Sequence, residues 1–122
     1  VKNLALTGVA DLAECAIPGF HSLIYLYDIW AVLTADVTVS TAILSFQDIN
    51  IVTTTETERS TLTIPVQTFD LDARANVIRP YFRGTTIDSY DTGNIMVIAC
   101  TDAATAGSCD LYLKFGGYPP QD

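Results

Sequence analysis

The sequence predicts an all-β fold, a single antiparallel β-sandwich, and three observations support this prediction. Apolar side chains recur mainly at every second position, which is the period of a strand. Turn-forming residues separate these segments at intervals of about 8–12 residues, as in sandwiches and barrels. The 122 residues, of which 49% are apolar, suit one domain with its own core. We therefore expect one domain over residues 1–122 with about eight strands.

The longest candidate strand, from Leu23 to Leu33, is apolar at both alternating sets of positions, with Asp28 as the exception. A strand in a two-layer sandwich has only one side that faces the core. Its second apolar side must then be covered by the chain itself or by another subunit. Residues 95–100 have the same character. Two such strands in one small domain favour an oligomer, although cover by the chain itself stays open.

The other segments alternate more regularly. Between 37 and 46 the apolar positions change phase, which indicates a bulge or a bend near 40–42. We expect a turn at 47–48 and a half-buried strand over 49–54. Pro65 lacks an N–H group and places its strand at an edge or beside a bulge. The clearest alternation is in the last strand, where one face carries Cys109, Leu111, Leu113 and Phe115.

The charge balance argues against nucleic acid and membrane partners. The chain has 14 acidic and 6 basic residues, a net charge of −8, and the basic residues are scattered. Nucleic-acid binding needs clustered Lys and Arg side chains. Only 16% of the residues are charged, against about 25% in ordinary domains. No apolar run reaches the roughly 18 residues of a membrane span. A weakly charged, Thr-rich surface favours contact with other proteins.

No pattern in the sequence predicts catalysis. His21 is the only histidine and lies in a turn, so it cannot form a site of several histidines. The motifs of α/β-hydrolases, P-loop proteins and zinc peptidases are absent from the sequence. We therefore expect neither an enzyme nor a cofactor. The segment 88–94 offers oxygen ligands for calcium, but it lacks the EF-hand spacing. Solvated loop acids are the more common explanation, so we predict no metal site.

The cysteine count is odd, at three. Cys100 ends one candidate strand and Cys109 opens the next, so a hairpin would place them within reach of a disulfide. A reducing compartment would keep both as apolar thiols, and both states stay open. We expect Cys15 to be buried and free.

The aromatic residues are the candidate binding residues. Trp30, Tyr25 and Tyr27 could line a sugar-binding face, but they fall in the most apolar strand, which favours packing or subunit contact. The candidates for protein–protein contact are Tyr25, Tyr27, Trp30, Tyr81, Phe82, Phe115 and Tyr118.

The order of segments resembles the small jelly-roll decoration, or cement, proteins on the heads of tailed bacteriophages, and related virion β-sandwich modules. The likeness lies in residues 12–19 leading into the long apolar strand, the Thr/Val-rich 37–46, the polar segment ending at 62–65, and the closing pair 93–100 and 111–118. It implies a jelly roll without catalytic residues. It also implies a homo-oligomer, with a trimer favoured, bound to the viral major capsid protein on the outer capsid surface of the virion. The alternative is a carbohydrate-binding, lectin-like module of a tail fibre or another secreted protein.

Overall fold

A computed structural model describes residues 1–17, 23–79, 88–91 and 93–117. Within these ranges the chain forms two antiparallel sheets and one short 3-10 helix, Ala73–Asn76. The strands are β1 (Leu4–Ala5), β2 (Ala10–Ala16), β3 (Leu23–Leu33), β4 (Ala42–Ile49), β5 (Glu56–Ile64), β6 (Val77–Ile78), β7 (Asp88–Asp91), β8 (Ile95–Asp102) and β9 (Ser108–Gly116). No helix in the described part of the chain is long and apolar enough to cross a membrane.

The strand pairs are nested in the order of a jelly roll. One sheet has the order β1-β9-β3-β6, with β7 also paired to β3, and the other has the order β2-β8-β4-β5. The innermost pair is β4 with β5, followed outward by β3 with β6 and β7, β2 with β8, and β1 with β9. This is the pattern of one long hairpin rolled into two sheets. The predicted antiparallel sandwich of jelly-roll type is confirmed.

The core lies between the two sheets and is closed by alternating side chains from both. Phe46 of β4 and Tyr90 of β7 are its largest fully buried residues. Each fully buried aliphatic or Phe side chain contributes about 1.5–3 kcal/mol to stability. The central strands supply Ile29, Ala31, Leu33, Leu44, Met96, Ile98 and Leu111.

A bulge explains why β3 is apolar at both sets of positions. The register with β9 shifts between Leu26 and Asp28, so the alternation changes phase there. Leu26 before the shift and Ile29 after it therefore both face the core. The ring of Tyr27 lies over Gly116 of β9, where an added Cβ would come within 2.2 Å of Tyr27 Cζ. The inference that this strand exposes a full second apolar face is wrong.

The segment between β3 and β5 departs from the sequence prediction. Regular strand structure is interrupted beside the bulge or bend predicted near 40–42. Val39 has a positive φ of 72°, and β4 begins only at Ala42. Strand β4 then continues through Ile49, and a turn occupies 51–53. The predicted turn at 47–48 and the predicted strand over 49–54 are therefore wrong. Asp48 suggested a turn because it is charged, yet it is buried.

The predicted hairpin between the strands that carry Cys100 and Cys109 is also wrong. Consecutive strands of a jelly roll cross between sheets, and β8 pairs with β2 and β4 whereas β9 pairs with β1 and β3. Both residues are buried free thiols in the structure. Cys15, which was expected to be buried, is exposed because β2 is an edge strand.

Different connections between strands lie at the two ends of the sandwich. The connections β1–β2, β3–β4, β5–β6 and β8–β9 meet at one end, which we call the loop end. The β4–β5 turn and the β7–β8 connection lie at the other, which we call the pocket end. There Ile17 at the end of β2 donates its backbone N–H to Asn94 O at 3.0 Å. The candidate sites lie on one sheet face and at these two ends.

Candidate functional site

An aromatic ladder lies on the outer face of the β1-β9-β3-β6 sheet. Trp30 of β3 stacks on Tyr112 of β9, with ring centroids 5.5 Å apart and planes 9° from parallel. The Arg79 guanidinium lies 5.2 Å from the Trp30 ring centroid, and Lys2 Nζ lies 4.9 Å from that of Tyr112. Both are cation–π distances. The chain's own cations therefore already contact both stacked rings.

Hydrogen bonds hold the Lys2 end of the ladder in place. Lys2 Nζ donates to the Tyr112 hydroxyl at 2.7 Å and to Asp110 Oδ2 at 3.3 Å. These bonds, that to Tyr112 above all, raise the pKa of Lys2. The backbone N–H of Asn3 donates to Asp110 and lowers the pKa of that carboxyl. Both groups keep their charges at neutral pH.

The structure places only part of the predicted contact set. Tyr25, Tyr27 and Trp30 are half-buried on β3. Phe115 is exposed at the end of β9 and meets Tyr90 edge-on, with centroids 6.3 Å apart. The remaining predicted contacts, Tyr81, Phe82 and Tyr118, lie outside the described residues.

The loop end exposes large apolar side chains that sequence analysis did not single out. Leu71 is 96% exposed and Val39 is 80% exposed. The exposed apolar residues in the connections of this end are Val9, Val39, Val66, Phe69 and Leu71. They come from three connections that are distant in sequence, so no single segment has an apolar pattern that predicts the patch.

Backbone hydrogen bonds join the connections of the loop end to one another. Val37 and Gln67 exchange two backbone hydrogen bonds, at 2.9 and 3.1 Å, which join the β3–β4 connection to the β5–β6 connection. Thr38 donates to Ala106 O at 3.0 Å, which joins β3–β4 to β8–β9. Asp36 Oδ1 accepts from the backbone N–H of Phe69 at 2.7 Å. The exposed side chains are therefore presented on a fixed platform.

The loop that carries Leu71 is fixed by the side chains around it. Asn76, which is 2% exposed, accepts from the backbone N–H of Asp70 and donates to Asp70 O, at 2.8 and 2.6 Å. Asp70 Oδ1 accepts from the backbone N–H of Asp72 at 2.8 Å, and Asp72 caps the 3-10 helix. Leu71 is thus held outward between two carboxylates.

An ion pair between buried Asp48 and partly exposed Arg59 forms the base of a pocket at the pocket end. The Asp48 side chain is 2% exposed, and its Oδ2 accepts from Arg59 Nη2 at 3.1 Å and from the backbone N–H of Asp91 at 3.2 Å. Its Oδ1 accepts from Asn94 Nδ2 at 2.9 Å. One carboxylate thereby joins β4, β5, β7 and the start of β8.

The pocket has a volume of about 270 Å³. Asn50 shapes its rim, because its Oδ1 accepts from the backbone N–H groups of Val52 and Thr53 at 2.9 and 3.0 Å. All of the described lining residues are polar: Asp48, Asn50, Thr53, Thr55, Thr57, Arg59, Asp91 and Asn94. Arg59 Nε is buried and has no acceptor in the described ranges.

The pocket includes part of the segment that sequence analysis considered for calcium. Asp91 and Asn94 belong to 88–94 and line the pocket, but Arg59 lies beside them. Within the described ranges no three His, Cys, Asp or Glu side chains come together as metal ligands. Sequence analysis missed Asp48, which it placed in a turn, and Arg59, because charged side chains usually face solvent.

No known protein family, curated protein or solved structure matches this chain.

Proposed function

We propose that this protein is a structural virion component, a decoration protein that binds the major capsid protein at the outer capsid surface as a homo-oligomer. A trimer is the favoured state. The observation that carries the proposal is the loop end, where exposed apolar side chains from three connections are fixed on one platform. Several exposed apolar side chains at one end of a domain are typical of protein contact sites.

The chemistry of the loop end suits a capsid partner with apolar sockets and basic rims. Leu71 projects between Asp70 and Asp72, and the whole chain carries a net charge of −8. Asp72 is paired with Arg74 at 3.4 Å, so it is the net negative charge of the chain that favours a partner pocket edged by Lys or Arg, because opposite charges steer and align the two surfaces. Since the platform is already ordered, little conformational entropy is lost on binding.

The aromatic ladder supports contact between copies. Trp, Tyr and Arg are enriched in the energetically dominant part of interfaces. Trp30, Tyr112 and Arg79 lie together on the outer sheet face. Copies joined through this face can all point their loop ends toward one capsid surface.

The test is co-sedimentation with capsids that were assembled without this protein, using the virus that encodes it. Leu71→Asp removes an apolar contact worth about 1.5–3 kcal/mol, so binding is expected to weaken at least tenfold. Val52→Asp is the matched control, because Val52 is 86% exposed but lies at the pocket end. It is expected to bind like the wild type.

The oligomer is tested separately by light scattering on the purified protein. Trp30→Ala is expected to shift the wild-type oligomer toward monomer. A wild-type protein that stays monomeric at high concentration and does not sediment with capsids contradicts the proposal. Equal loss of capsid binding in Leu71→Asp and Val52→Asp contradicts docking through the loop end.

A further inference from the structure

The pocket end carries a second, independent feature, since its pocket is not needed for contact through the loop end. Its base is formed by Asp48, Arg59 and Asn94, which come from three different strands or connections. Hydrogen bonds fix these groups before any ligand arrives. Preorganised polar groups converging on a concave surface are the usual basis of ligand specificity.

The charges that line the pocket disfavour both an inorganic anion and a bare metal cation. The carboxylates of Asp48 and Asp91 repel an anion in the pocket, and the guanidinium of Arg59 repels a metal cation. A neutral ligand avoids both repulsions. It must also bring many polar groups, because all the described lining residues are polar and an apolar ligand would leave them unpaired.

Hydroxyl groups match the donors and acceptors of the lining. A hydroxyl both donates and accepts, so it can donate to a carboxylate while accepting from a guanidinium, an amide or a threonine hydroxyl. Thr55, Thr57 and Asn50 at the rim supply both kinds of group. The Arg59 guanidinium lines the pocket and carries only donors.

The size of the pocket restricts the ligand to a small unit. Its volume of about 270 Å³ lies just below the roughly 300–1,000 Å³ of sites for drug-sized molecules. We propose that the pocket binds one neutral saccharide unit, whose adjacent hydroxyls contact Asp91, Arg59 and the rim threonines. Because the described lining contains no aromatic ring for the sugar to stack on, millimolar affinity is expected for a single unit.

The experiment is a heteronuclear NMR titration of the full chain with methyl glycosides of mannose, galactose, glucose and N-acetylglucosamine, each to roughly 50 mM so that millimolar binding is detected. At least one glycoside is expected to shift the amide resonances of Asn50, Thr57 and Asn94. The double variant Thr57→Val/Asp91→Asn is expected to bind about fivefold more weakly or worse, through lost hydrogen bonds. It leaves the Asp91 backbone donor to Asp48 in place.

Thr63→Val is the matched control, because Thr63 is an exposed threonine of the same strand outside the pocket. It is expected to bind the glycoside like the wild type. Three outcomes overturn the proposal: no shift of the pocket resonances by any glycoside in the folded protein, equal affinity in the wild type and the double variant, or binding of only inorganic phosphate or calcium chloride there. None of these outcomes bears on capsid binding, which is tested at the opposite end.

Discussion

Replacing Asp48 with alanine tests whether the buried carboxylate holds the pocket end of the sandwich together. The substitution removes the acceptor of Asn94 Nδ2, of the Asp91 backbone N–H and of Arg59 Nη2. Asn94 is only 9% exposed, so its amide cannot fully regain water. The Arg59 side chain is 31% exposed and recovers part of its solvation.

The expected loss of stability follows from these exposures. A buried donor left without its acceptor costs about 1–3 kcal/mol, and Asn94 and Asp91 supply two such donors. Arg59 adds little, since a partly exposed ion is screened by solvent. We therefore expect Asp48→Ala to lower the free energy of unfolding by about 3 kcal/mol, mainly through the two donors that lose their acceptor.

Urea unfolding followed by circular dichroism measures this change. With an m value of about 1.5 kcal/mol/M, a loss of 3 kcal/mol lowers the midpoint by about 2 M. Asp48→Asn keeps one acceptor and is expected to lose about half as much. Asp91→Asn, which keeps its backbone donor, is expected to stay within about 0.5 kcal/mol of the wild type. A loss below about 1 kcal/mol in Asp48→Ala, with m unchanged, would refute the view that this carboxylate holds the four segments.

Three further predictions concern β9 and the cysteines. Gly116→Ala places its Cβ against the far end of the half-buried Tyr27 side chain, which can rotate away, so thermal unfolding is expected to show a loss of only about 0.5–1.5 kcal/mol. A loss above about 3 kcal/mol would contradict this view, because it would require the backbone to shift. In a thiol-reagent assay at pH 8, exposed Cys15 is expected to react in the folded protein, and buried Cys100 and Cys109 only on unfolding; equal rates for all three would refute the burial. Desolvation above all raises the pKa of Cys109 from 9.0 to about 12, so this thiol's contribution to stability is expected to be complete below pH 9.0 and to fall as pH rises toward 12.

The alternation of apolar and polar residues predicted the buried side of a strand correctly wherever the strand contains no bulge. In β5, Leu62 and Ile64 are buried between exposed threonines, as their spacing predicts. In β9, Cys109 and Leu111 are fully buried. Alternation failed in β3, because one inserted residue near Tyr27 reverses which side faces the core. No particular residue type marks the position of a bulge in a sequence. The apolar residues before and after the shift in β3 therefore looked as if they lay on two opposite faces.

Pairing between distant strands could not be predicted from the local pattern. Cys100 and Cys109 are close in sequence, which favoured a hairpin, yet their strands lie in opposite sheets. The same limit hid the pocket. Asp48 and Asn94 are 46 residues apart in sequence and meet only because β4 and β8 are neighbours. The segment 88–94 was singled out for its oxygen ligands, but the buried charges that complete the pocket lie on β4 and β5.

The rolled topology explains why the two candidate sites can be chemically distinct. Because the strand pairs are nested, most consecutive connections alternate between the two ends of the sandwich. The exposed Val39 and Leu71 lie in connections of one end, whereas Asn50 and Asn94 lie in connections of the other. Substitutions at one end therefore leave the other end's connections unchanged, with the core strands between them. An apolar docking platform and a polar ligand pocket can thus coexist in 122 residues, and variants of each are expected to have additive effects on stability.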